Sequence, residues 1–112
     1  MKAAADIRVL ESRAGIAARM LRALANERRL AILCELVEGE RSVGELVAAV
    51  GVAQSALSQH LAKLRAAGIV ATRREAQTIY YRLADPAAGT IMSSLADIYC
   101  RPAHARKRRQ FG

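Results

Sequence analysis

GVAQSALSQHLAKLRAAGIV, Gly51 to Val70, is the stretch on which the reading of this chain turns. Leu57, Leu61 and Leu64 recur at i, i+4 and i+7, the spacing that gathers apolar side chains on one face of a helix. The opposite face carries Ser55, Ser58, Gln59 and Ala62. It holds no acid and no large apolar residue. An ordinary surface helix gains solubility from Glu and Lys. A face of small hydroxyls, an amide and an alanine asks for another explanation. The sequence predicts this helix over about residues 54–66, with Gly68 as its stop.

Upstream, SVGE (Ser42 to Glu45) is a capping box. The Ser42 hydroxyl accepts from the Glu45 amide, and the Glu45 carboxylate accepts from the Ser42 amide. It opens a short helix over about residues 43–50 that stops at Gly51. ANERRLAILCELVEGE starts the helix before that, with Asn26 as N-cap and Glu27 at the positive end of the dipole. Leu30, Leu33, Cys34 and Val37 share one of its faces, and Gly39 fits the C′ position. A first helix is expected over about residues 5–24. Its stripe of Leu10, Ala14, Ala17, Leu21 and Leu24 packs either on the rest of the domain or on a second copy of the chain.

Downstream the period changes. IVATRRE and TIYYRL flank the polar turn Glu75-Ala76-Gln77 and predict a hairpin. The glycine usual in a tight turn is missing, so a loop longer than two residues is expected. DPAAGTIMSSLADIYC opens a last helix, with Asp85 as N-cap and Pro86 at N1. Ala88, Ile91, Leu95 and Ile98 mark its expected buried face, and Pro102 stops or kinks it near Cys100. The fold class is therefore mainly α: a winged helix-turn-helix in the order α-α-α-α-β-β-α.

That fold explains the odd helix face. A major groove about 12 Å wide admits a helix whose outward side chains are small. Ser and Gln both donate and accept hydrogen bonds, so they can read base edges. Gln54, Ser55, Ser58 and Gln59 are the candidate DNA-reading residues. Lys63 beside them, and Arg73 and Arg74 on the wing, are the candidate phosphate contacts. The plainer alternative is a solvated polar helix, but the wing and the capping box agree with the DNA reading. His60, at the edge of the leucine stripe, is read as a packed, hydrogen-bonded histidine rather than a metal ligand.

Length and composition fit. The 112 residues suit one domain over 1–100 followed by a basic tail, 101–112, expected to be disordered. Apolar residues make up 53% but are largely alanine, and aromatics only 4%, so the core is thin and gains from a partner subunit. The net charge of +8 is concentrated late: Arg101, Arg106, Lys107, Arg108 and Arg109 all follow the last acid, Asp97. The tail suits any polyanion, or simply solubility. No run of about 18 apolar residues suggests a transmembrane helix. MKAAADIRVLESRAG is charged too often for a signal peptide. The expected location is the cytoplasm, where Cys34 and Cys100 are free thiols. No nucleophile–base pairing, paired carboxylates or glycine-rich phosphate loop suggests an enzyme, and no cofactor is expected.

Two segments carry a resemblance, over about Leu21 to Cys100. LRALANERRLAILCELVEGERSVGELV resembles the opening helices of the ArsR-type winged-helix repressors. SALSQHLAKLRAAGIVATRRE with IYYRLAD resembles their recognition helix and wing. The resemblance implies a homodimer paired through its first and last helices and bound to inverted-repeat operators in double-stranded DNA. Metal-sensing members carry Cys-x-Cys in the third helix, where this chain has SVGELVAAV. Others place Asp and His ligands on the last helix, which here has Asp85 and Asp97 while His104 lies beyond Pro102. No metal ligands are therefore assigned.

The positions of Cys34 and Cys100 resemble those in the sulfide- and persulfide-responsive, BigR/SqrR-like branch. That implies a redox-sensing pair, bridged by a polysulfide or disulfide, whose bridging releases DNA. Arg101 beside Cys100 would favour its thiolate. The alternatives are a metal-responsive repressor, and a winged-helix activator or anti-silencer without a thiol switch. Cys34 would then be a small core residue.

Overall fold

The computed structural model describes residues 3–100, with side chains from Asp6 onward. Arg101, Pro102, His104 and the remainder of the basic tail lie outside the described residues. Each expected helix forms, with one break. The first is divided at Arg13 into α1 (Ala3–Ser12) and α2 (Ala14–Leu24). Ser12 supplies a local cause. Its hydroxyl donates to the Val9 carbonyl at 2.7 Å, the oxygen that the Arg13 amide would use in a continuous helix. That amide turns instead to Leu10, at 2.9 Å.

Helix α3 (Glu27–Val37) begins at Asn26, whose side chain accepts from the Arg28 and Arg29 amides at 2.9 and 3.0 Å. Gly39 follows its end at φ +143°. The chain then enters a short strand that the period reading did not find, β1 (Arg41–Ser42). Ser42 also caps α4 (Val43–Val50), and both arms of the capping box form: Ser42 N–H to Glu45 at 2.8 Å and Glu45 N–H to Ser42 Oγ at 3.1 Å. Gly51, at φ +75°, takes the left-handed conformation that ends α4. Helix α5 (Gln54–Ala66) follows, and Gly68 at φ +76° turns the chain out of it.

Strands β2 (Val70–Glu75) and β3 (Thr78–Leu83) pair antiparallel from Val70↔Leu83 to Glu75↔Thr78. β1 joins the other edge of β3, giving the order β1-β3-β2. The turn has only two residues, Ala76 and Gln77, against the longer loop expected from the missing glycine. Alanine accepts the strained position, at φ 56°, because the sheet register on either side leaves no other connection.

Helix α6 (Pro86–Tyr99) starts where Asp85 accepts from the Ala87 amide at 2.9 Å. Its buried face differs from the expected one. Ala88 and Met92 are buried, Ile91 and Leu95 partly so, while Ile98 is 41% exposed because the helix runs on past the core. The core lies between α3, α4 and α5. Its largest fully buried side chains are Ile32, Leu33, Leu46, Leu57, Leu61, Leu64 and Ile69. Cys34 and Val37, expected on the same face as Leu33, are exposed instead.

Candidate nucleic-acid interface

Leu57, Leu61 and Leu64 are buried, so α5 is anchored by one stripe and its opposite face is turned outward. Gln54, Ser55, Ser58, Gln59, Ala62 and Lys63 are all exposed there, on consecutive turns. The face is uncharged except for Lys63 at its end. Ala53, the N-cap, offers no side-chain acceptor, so the first amides of α5 are left to external partners. A helix start of this kind favours anionic groups.

The wing presents its two arginines differently. Side chains alternate along a strand, so Arg74 shares a face with Thr72, and Arg73 with Ala71 and Glu75. Both arginines are exposed. Arg73 is engaged within the chain, however. Its Nε donates to both Glu40 oxygens at 2.9 Å, and its Nη2 lies 2.8 Å from the same carboxylate. Its Nη1 is 3.5 Å from Glu75, and the guanidinium sits 4.5 Å from the Tyr80 ring centroid. The Arg73 hydrogen bonds hold the Glu40 carboxyl below the usual range, and Glu40 raises Arg73 in turn. Glu40 was not singled out from the sequence. It stands 33 positions from its partner, and no local pattern announces such a pair.

His60 is half-buried, with Nδ1 3.4 Å from Arg29 Nη1. Burial and then the charges of Arg29, Lys63 and Arg28 push its pKa down. The ring is thus hydrogen-bonded and packed, as expected.

The cysteines share a groove away from α5. Cys34 on α3 and Cys100 at the end of α6 line one groove of about 200 Å³ together with Leu30, Met92, Leu95, Ala96 and Tyr99. Both are free thiols exposed to solvent. The apolar walls still shield Cys34 enough that burial, then the Cys100 and Glu35 charges, raise its pKa.

A helix-turn-helix with a solvent-facing polar helix and a three-stranded wing defines a winged helix-turn-helix DNA-binding protein. Comparison with known proteins agrees. Residues 26–72 match the profile of the bacterial regulatory proteins of the arsR family. The nodulation protein NolR of Rhizobium meliloti is 56% identical over 77% of this chain and 70% of its own length. The transcriptional activator HlyU of Vibrio cholerae is 46% identical over 86% of this chain and 89% of its own. Among solved structures, the transcriptional repressor BigR from Xylella fastidiosa superposes with a TM-score of 0.81 at 43% identity, covering 85% of this chain and 97% of that one. The homodimeric winged helix-turn-helix DNA-binding domain from Mycobacterium bovis gives 0.71 at 34% identity, covering 79% and 82%. This chain belongs to the arsR family of bacterial regulatory proteins. It is a transcriptional regulator. Among the described residues no helix is long and apolar enough to cross a membrane.

Proposed function

We propose that this protein is a dimeric repressor that reads an inverted-repeat operator through α5 and leaves it when reactive sulfur bridges Cys34 and Cys100. One observation carries the reading: the chain's two cysteines, far apart in sequence, share a single groove between α3 and the end of α6. The likeness to the repressor BigR supports it. Dimerisation is supported by Ile7, Leu10, Ile16 and Leu21 on α1 and α2, and Ile98 and Tyr99 on α6, all exposed large apolar side chains. A relative described as homodimeric points the same way.

The chemistry balances with a persulfide as oxidant. Two persulfide molecules deliver two sulfane sulfurs to the two thiols. One sulfur stays in a Cys–S–S–S–Cys bridge, and the other leaves as hydrogen sulfide with both protein protons, while the donor departs as two thiols. A direct disulfide needs Cα atoms about 4.4–6.8 Å apart, and an inserted sulfur relaxes that limit. Tying α3 to the end of α6 biases the dimer between DNA-competent and incompetent arrangements. A hundredfold loss of affinity requires about 2.7 kcal/mol of bias.

A persulfide donor should add whole sulfur atoms to the intact mass, less two hydrogens, and release the operator. Cys34→Ser and Cys100→Ser should each stay bound under the donor, because a bridge needs both ends. Normal release of either single variant would overturn the bridging mechanism. A second reading, an activator that displaces another silencer, has the likeness to HlyU in its favour. A reporter driven by the operator separates the two by the sign of its response to deletion. A metal-responsive repressor is the remaining reading, and release of the operator by added zinc would favour it.

A further inference from the structure

Arg29 holds three helices at one point. Its Nε donates to the Ala23 carbonyl at 2.6 Å and its Nη2 to the Arg22 carbonyl at 3.3 Å, both in the last turn of α2. The Arg22 carbonyl also accepts from the Ala25 amide at 3.3 Å, and carbonyls in the last turn of a helix suit a cation with directed N–H groups. Its own amide is held by Asn26 at the start of α3. Its remaining arm points to His60 Nδ1 on α5. A guanidinium has donors and no acceptor, so the contact is a hydrogen bond only when Nδ1 accepts, as it does in the neutral ring with its proton on Nε2. The charged groups facing His60 are Arg29 and Arg28 of α3 and Lys63 of α5, all cationic, while α2 presents the two carbonyls to Arg29.

We propose that Arg29 is a positioning residue for base reading, transmitting the orientation of α2 to α5 through neutral His60. The proposal rests on α5 being the recognition helix. The leucine stripe sets which face of α5 is buried, but apolar burial is non-directional and tolerates small changes in the roll of the helix. A directed polar contact at the edge of the stripe fixes that roll. Ser55, Ser58 and Gln59 lie within a turn and a half of His60, so a small rotation there moves every reading side chain. Recognition groups must be held to within about 0.5 Å. The other end of the tie is α2, whose exposed Ile16 and Leu21 belong to the proposed dimer face. Arg29 thereby links half-site spacing to groove reading.

The test uses the full chain and a duplex that the wild-type protein selects from a randomised library at about pH 7.5. The readout is the ratio of affinity for that duplex to affinity for an unrelated one, which cancels the non-specific charge term. Arg29→Lys keeps the charge but cannot span three acceptors. It should lower the ratio about tenfold while sedimentation still shows the wild-type oligomer. Wild type should lose the ratio once pH falls far enough below the ordinary histidine range to protonate His60, because Nδ1 can then no longer accept. His60→Asn puts an amide oxygen where Nδ1 stands and does not titrate. It should keep the wild-type ratio at the higher pH and retain it at the lower one. An unchanged ratio for Arg29→Lys, or a wild-type pH profile for His60→Asn, overturns the proposal. If Arg29→Lys does not fold, the His60→Asn profile decides alone. A wild-type chain that enriches no duplex refutes instead the recognition-helix reading on which the tie depends.

Discussion

Gln59 and Arg74 are exposed side chains with opposite expected signatures. If Gln59 makes a bidentate contact to a base, Gln59→Ala costs about 1–3 kcal/mol on the preferred duplex and relaxes preference at one position. Arg74→Ala weakens every duplex alike and reduces the salt slope by about one. Competition binding across single-base variants at two salt concentrations separates them. Equal losses on all duplexes for Gln59→Ala would remove it from the reading set. Arg73 stands apart, since phosphate must compete with Glu40 for it. Glu40 has a folded pKa below its unfolded value of about 4.3. Its pairing therefore stabilises the fold above that value and is lost as pH falls through the lower folded one. Glu40→Gln should flatten that part of the acid limb in thermal melts. An acid limb superposable on wild type would mean that the pair adds nothing to stability.

Within elements, two turns carry left-handed residues of opposite suitability. Gly51 ends α4 at φ +75°, and a Cβ there would meet no atom within 4 Å. The cost of Gly51→Ala is thus purely backbone, about 1 kcal/mol net of the entropy that alanine removes from the unfolded chain. Ala76 sits at φ 56° in the wing turn and already bears such strain. Ala76→Gly should raise stability by up to about 1 kcal/mol. Urea midpoints of both variants check this, and a lower midpoint for Ala76→Gly would show the turn to be unstrained. The break at Arg13 belongs to this scale as well. Ser12→Ala frees the Val9 carbonyl and should let α1 and α2 join, read as a gain in helical circular dichroism.

At the scale of the whole molecule, the apolar side chains of α1 and α2 form the largest exposed apolar group among the described residues. Ile7, Val9, Leu10, Ile16 and Leu21 are each about half exposed or more. Deleting residues 1–20 should yield monomers by sedimentation and abolish tight operator binding. Two half-sites about one helical turn apart need both recognition helices at fixed spacing. A truncated chain that still sediments as a dimer would move the interface elsewhere. The cysteine groove belongs to this scale too. It is lined by α3 and the end of α6, so a bridge there would act on the packing of those helices and not directly on the exposed face of α5.

The break at Arg13 and strand β1 were not legible along the chain, whereas the boundaries of α3 to α6, the caps at Asn26, Ser42 and Asp85, the stops at Gly51 and Gly68, and the β2–β3 hairpin were. Each depends on partners within a few residues, where covalent geometry leaves a short menu of hydrogen bonds. The two-residue turn at Ala76 was not, because sheet register overrode the local preference for glycine. Ile98 carried the right period but lay beyond the end of the core, a matter of where neighbouring helices stop. The exposure of the Ser55, Ser58 and Gln59 face follows from the leucines behind it, so the sequence placed it correctly. The pairing of Cys34 with Cys100 was implied by the family resemblance, whereas the grip of Glu40 on Arg73 and the tie from Arg29 to His60 were decided by tertiary structure alone. These are directed contacts between residues distant in sequence. The apolar burial that brings them together is non-directional, so no spacing along the chain records which polar groups it leaves side by side.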